Sequence, residues 1–111
     1  MQITFKSNKL KKIFNEKQKL VTEYGDKPAR KIMLRMGVLR AAGNLSQIPR
    51  LKPDRCHELT NNRKGTFAVD LVHPYRLIFK PDMDPVPKLG DGGIDLTEII
   101  CIQILKVEDY H

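Results

Sequence analysis

The apolar positions of this chain change their period about halfway along. Between residues 8 and 42 they recur at helical spacing. Leu10, Ile13 and Phe14 share one face, Val21 continues it, and Lys9, Lys12 and Lys19 take the opposite side. Ser7 is placed to cap this first helix and Tyr24-Gly25 to end it. Asp26 is the next cap candidate, with Pro28 inside the first turn where a helix start accepts it. Ile32, Met36 and Leu39 form the apolar stripe of the second helix, and Lys27, Lys31 and Arg35 form a basic ridge on it. Gly43-Asn44 stops it.

From residue 56 the period becomes two. "CHEL" (56–59) is a short strand. "TFAVDLV" (66–72) sets Phe67, Val69 and Leu71 on one face and Thr66, Ala68 and Asp70 on the other. "YRLIF" (75–79) alternates Tyr75, Leu77 and Phe79 against Arg76 and Ile78, and His73-Pro74 turns between these two strands. "IDLTEIICIQILKV" (94–107) is a long β-branched run, which predicts a strand buried on both faces in a central position. "QITF" (2–5) is a short opening strand. The linkers are a proline-interrupted loop at 45–55 and a Pro, Gly and Asp loop at 80–93, longer than a hairpin needs.

These elements predict one α+β domain over residues 1–111. Two helices cover one face of a mostly antiparallel sheet of about five strands. No further segment is left to cover the other face, so Arg76 stands on an open surface.

Charge narrows the partners. The net charge is +7. Residues 1–65 carry 16 Lys and Arg against 5 acids, and residues 66–111 carry 4 against 8, so the basic surface belongs to the first part. That favours an anionic partner such as nucleic acid. Cys56 and Cys101 have no metal-like spacing, and with no signal peptide in view a reducing cytoplasm is the simplest compartment. The apolar stretch from Ile99 to Leu105 is too short to span a bilayer. There is no phosphate-binding glycine loop, no zinc spacing and no Trp, which removes the commonest nucleotide, metal and base-stacking readings. No cofactor is called for.

The polar residues able to do chemistry gather at strand ends. His57 lies in "CHEL", Asn62-Arg63-Lys64-Gly65 forms a turn, Arg76 lies in the next strand, and Asp109, Tyr110 and His111 follow the last. Two imidazoles, a carboxylate and a phenol suffice for general acid–base work on a phosphodiester, and arginine or lysine can hold its charge. RNA supplies its own nucleophile, the 2′-OH, so no metal is required. Plainer readings stand beside this one. "NNRKG" can be a polar turn, Arg76 can pair with Asp70, "EDYH" can be a solvated tail, and the lysine ridges can be solvated helix faces.

The run "CHELTNNRKGTFAVDLVHPYRLIFK" followed by a terminal "DYH" resembles the HigB-like toxins of type II toxin–antitoxin systems, in the RelE superfamily. Cys56-His57-Glu58-Leu59 stands where that family has a His-Pro segment. Arg63-Lys64-Gly65 matches its Arg-x-Gly turn, Tyr75 to Phe79 its aromatic-Arg-aliphatic strand, and Asp109-Tyr110-His111 its ending. "ITFKSNKLKKIF" resembles the opening strand and first helix. The resemblance spans nearly the whole chain. It implies a RelE-like, microbial-RNase-like fold and a cytoplasmic, ribosome-dependent mRNA endonuclease. The partners implied are the ribosome, mRNA and a cognate antitoxin, commonly a helix-turn-helix protein of the HigA kind. His57, Asp109, Tyr110 and His111 would be catalytic; Arg63, Lys64 and Arg76 would bind phosphate; the basic helices would meet ribosomal RNA. Two features depart from the pattern. Residues 80–95 read as an insertion, and Glu58 and Thr60 stand where the family often has Pro and Lys. A non-catalytic RNA- or ribosome-binding module on the same fold is the second reading, and a regulatory protein-binding domain the third.

Overall fold

The computed structural model describes residues 1–109. Its strands are β1 (Gln2–Phe5), β2 (His57–Glu58), β3 (Phe67–Asp70), β4 (Tyr75–Pro81) and β5 (Cys101–Asp109). Its helices are α1 (Asn8–Phe14), α2 (Lys17–Tyr24) and α3 (Asp26–Ala41). The sheet order is β1-β5-β4-β3-β2; β1 runs parallel to β5 and every other neighbouring pair is antiparallel. The α+β architecture is therefore as the periodicity predicts. No described helix is long and apolar enough to cross a membrane.

Three details differ from the pattern. The first helix is two. Ser7 caps α1, its side chain accepting from the Leu10 N–H at 3.1 Å, but Glu16 is extended and starts α2 afresh. The reason is Leu20, only 2% exposed. Six residues after Phe14 on a straight helix, it would point some 120° away from Phe14, the buried residue of α1. The break re-aims it into the core.

The predicted strand from residue 94 also begins later. Asp95 caps a single 3₁₀ turn, Leu96–Glu98, its carboxylate accepting from the Thr97 N–H and hydroxyl, and pairing in β5 starts only at Cys101. The β5 strand is interior rather than central, and its two faces are unequally buried. Ile102 and Ile104 are fully buried, while Gln103 and Leu105 on the other face are partly so.

The basic ridge of α3 is shorter than predicted. Lys27 is exposed, but Arg35 is 5% exposed and fully engaged. Its guanidinium donates to the carbonyls of Asp70 (2.6 Å) and Pro53 (3.2 Å) and lies 3.3 Å from the buried Asp54 carboxylate. Positions i, i+4 and i+8 drift round a 3.6-residue helix, which carries Arg35 towards the Ile32–Met36–Leu39 stripe. There it ties α3 to the 53–54 loop and to the end of β3.

The main core joins Ala29, Ile32, Met36 and Leu39 of α3 to Leu77 and Phe79 of β4 and Ile102 and Ile104 of β5. Phe67 and Phe79 stack across β3 and β4, with ring centres 5.9 Å apart. Among the described residues the opposite sheet face has a small apolar floor, Leu59, Ala68 and Ile78 flanked by Leu105, and no described helix covers it. That is the open face the element count predicts.

Candidate functional site

A bulge in β5 decides what stands on the open face. Ile78 pairs with Lys106, but its neighbour Phe79 pairs with Ile104, so Leu105 is an extra residue in β5. Ile102 and Ile104 face the helices. Strict alternation would turn residues 106 and 108 the same way. The bulge reverses the parity, so Leu105, Lys106 and Glu108 share the open face while Val107 packs on the main core.

Two cross-strand rows result. One runs His57, Ala68, Ile78, Lys106; the next runs Asp70, Arg76, Glu108. In the first row, His57 stands on the edge strand. Its Nδ1 is 2.8 Å from the Arg55 carbonyl oxygen. A carbonyl only accepts, so Nδ1 carries the proton and Nε2 is the nitrogen with the lone pair. Arg55 itself has φ +47, a left-handed backbone that costs a non-glycine residue on the order of 1 kcal/mol. It is held there in part by a forked bond to Asp70, at 2.7 and 3.0 Å.

In the second row, Glu108 gathers cations from three elements. Its Oε2 accepts from Arg63 Nη1 (3.0 Å) and Arg76 Nε (2.8 Å) and lies 2.6 Å from Arg76 Nη2. Its Oε1 accepts from Arg63 Nη2 (2.8 Å) and lies 3.3 Å from Lys106 Nζ. The Arg63 hydrogen bonds above all, then those of Arg76 and Lys106, outweigh the cost of burial and hold the Glu108 carboxyl at about 2. It is ionised throughout the physiological range.

His57, Arg63 and Arg76 line one pocket of about 370 Å³, with Glu58, Leu59 and residues 60–62. The fold thus brings together three of the residues singled out by sequence. Arg63 comes from a 3₁₀ turn, Asn61–Arg63, that is closed by Gly65 at φ +94. The Gly65 N–H donates to the Glu58 carboxylate at 2.9 Å. Glu58 thereby closes the turn that presents Arg63, a use its sequence position did not disclose. Lys64 is exposed and points elsewhere, lining a separate pocket with Lys88 and Gly92.

Asp109 pairs with Tyr75, and alternation carries it to the face opposite Glu108. Tyr110 and His111 lie outside the described residues. Arg76 pairs with Glu108, while the Asp70 carboxylate is taken by Arg55, so the cross-hairpin Arg76–Asp70 ion pair does not form. Glu108 and Lys106 are the residues sequence reasoning missed, because the bulge that presents them leaves no mark on the hydrophobic pattern. Cys56 is buried in the core beside His57, and burial raises its thiol to about 11, so it is no nucleophile. Both cysteines are free.

No protein-family model matches the sequence, and no curated protein matches it. Solved structures do. The YoeB dimer from Staphylococcus aureus is 19% identical with a TM-score of 0.54, over 100% of this chain and 97% of that one. A YoeB/ParE toxin from Agrobacterium tumefaciens is 10% identical, TM-score 0.54, over the full length of both chains. The S. aureus YoeB–YefM complex gives 19% identity and a TM-score of 0.50, over 100% and 97% of the two chains. The fold is that of the YoeB toxins. The resemblance to the HigB branch in particular finds no support in these matches, which are to YoeB-type structures and show a shared fold.

Proposed function

We propose that this protein is the toxin of a toxin–antitoxin module and an endoribonuclease that cleaves mRNA on the ribosome. The observation that carries the reading is the pairing, in one pocket of a YoeB fold, of a histidine with an available Nε2 and two arginines. His57 Nε2 takes the proton from a ribose 2′-OH. The oxygen attacks the adjacent phosphorus and the 5′ oxygen leaves, giving a 2′,3′-cyclic phosphate and a 5′-OH. Arg63 and Arg76 hold the phosphate charge as it grows, while Lys64, outside their pocket, contacts RNA flanking the cut. Tyr110 and His111 complete the catalytic group, His111 as the proton donor, and Asp109, carried to the face opposite Glu108, acts through them rather than on the phosphate. The lysine-lined groove between α1 and α2, which holds Lys9, Lys12 and Lys19, meets the ribosomal RNA backbone. The antitoxin, a protein encoded alongside, occludes the open face; the complex of YoeB with YefM supports a partner of that kind.

One observation favours the second reading, a non-catalytic module that binds RNA or the ribosome. Glu108 already occupies the arginine forks. Removal of residues 109–111 separates the two. Lost growth inhibition with ribosome binding intact supports catalysis; unchanged inhibition by a folded truncated protein refutes the site.

A further inference from the structure

The Glu108 cluster has two layers. Arg76 and Glu108 lie low, with side chains 12% and 14% exposed, while Arg63 and Lys106 stand above at 35% and 58%. Among the described residues, one carboxylate stands among three cations, a sum of +2. Glu108 therefore neutralises too little to abolish anion binding. It does collect cations from three elements, the 61–63 turn, β4 and β5, that would otherwise repel one another. The Arg63 fork to Glu108 uses its two Nη atoms, and its Nε edge is not part of that fork.

Lys106 ends the row that begins at His57. Three strand spacings separate them, roughly 14 Å, and the floor between is apolar, Ala68 and Ile78. The Lys106 ammonium nevertheless shares Glu108 Oε1 with Arg63 Nη2, so it stands beside the arginines of the pocket and extends their positive charge along the row, away from His57. A chain of phosphates whose bases lie on the apolar floor fits this row; an isolated phosphate does not reach both ends.

We infer that Lys106 is a further phosphate-contacting residue and that Glu108 is the positioning residue that holds Arg63, Arg76 and Lys106 as one cradle for single-stranded nucleic acid. The inference rests on the RNA reading of this face for its substrate class, but not on cleavage.

The test is fluorescence anisotropy with a single-stranded DNA decamer, which lacks the 2′-OH and cannot be cut, across a salt series. Lys106→Met lowers the slope of log affinity against log salt by about 0.7, the loss of one phosphate contact. In a Glu108→Gln background the same change loses most of its effect, since the two act as a unit. An unchanged slope in K106M overturns the inference. So does an equal effect of K106M in both backgrounds, which is what a merely structural Glu108 gives. Lys106 is exposed, so K106M folds; should E108Q not fold, Glu108→Asp takes its place in the cycle. Binding that responds as expected while mRNA stays uncut leaves this inference standing and the endonuclease reading refuted. Cleavage with an unchanged slope does the reverse.

Discussion

Replacing Glu108 by glutamine removes one negative charge from among three cations and keeps the side chain's shape. The carboxyl titrates at about 2 in the folded protein against an ordinary 4.5, mainly through its Arg63 bonds. A shift of that size corresponds to about 3 kcal/mol at most, at 1.36 kcal/mol per unit. Arg63 and Lys106 border solvent, which screens the cluster and cuts the expected contribution to about 1–2 kcal/mol. The sign follows from a depressed acid. The stabilisation is fully present above the unfolded value of 4.5 and is lost as pH falls through about 2. By pH 3 about half or more of it is gone. Urea unfolding of wild type and Glu108→Gln at pH 7 and pH 3 reads this directly, because titrating groups that do not interact with Glu108 cancel in the difference. The gap should shrink on acidification. A gap of the same size at both pH values, or none at pH 7, refutes the assignment of Glu108 as the charge hub.

Other consequences are as specific. Arg35→Ala strands the buried Asp54 and should cost about 3–5 kcal/mol in urea unfolding, while pairing Arg35→Met with Asp54→Leu recovers most of it; equal loss in both variants contradicts the account. Deleting Leu105 removes the extra residue and makes β5 regular, so Ile104, Lys106, Val107 and Glu108 keep their partners and faces and the protein should still unfold cooperatively by circular dichroism, losing only the Leu105 contact with the Leu59–Ala68–Ile78 floor; loss of cooperative unfolding would contradict the assignment of Leu105 as the bulged residue. His57→Gln removes the Nε2 base and should slow cleavage by about 10²–10⁴-fold with thermal stability near wild type; a cleavage rate within a few-fold of wild type removes His57 from the mechanism.

How far the sequence speaks differs from residue to residue. Period-two alternation places Tyr75, Leu77 and Phe79 under the helices and Arg76 on the open face, because β4 is regular up to Ile78. The same logic fails in β5. One extra residue inverts the face of everything after Ile104, and nothing in "IQILKVED" distinguishes Leu105 as that residue. Bulges are set by pairing with a partner strand, a non-local fact. Arg35 illustrates a second limit. Its charge marks it as solvated, and only the approach of Asp54 and two carbonyls makes its burial tolerable. His57 was legible as a candidate but not as a base with a fixed tautomer, since that depends on where the Arg55 carbonyl turns.

The central claim is that the open face of this YoeB fold cuts RNA. The most direct measurement adds the purified protein to translating ribosomes and maps mRNA 5′ ends. The account predicts new breaks within the occupied codons, with 5′-OH and 2′,3′-cyclic phosphate termini, and their loss in His57→Gln. Intact mRNA in every codon context, with folded protein bound to the ribosome, would contradict it.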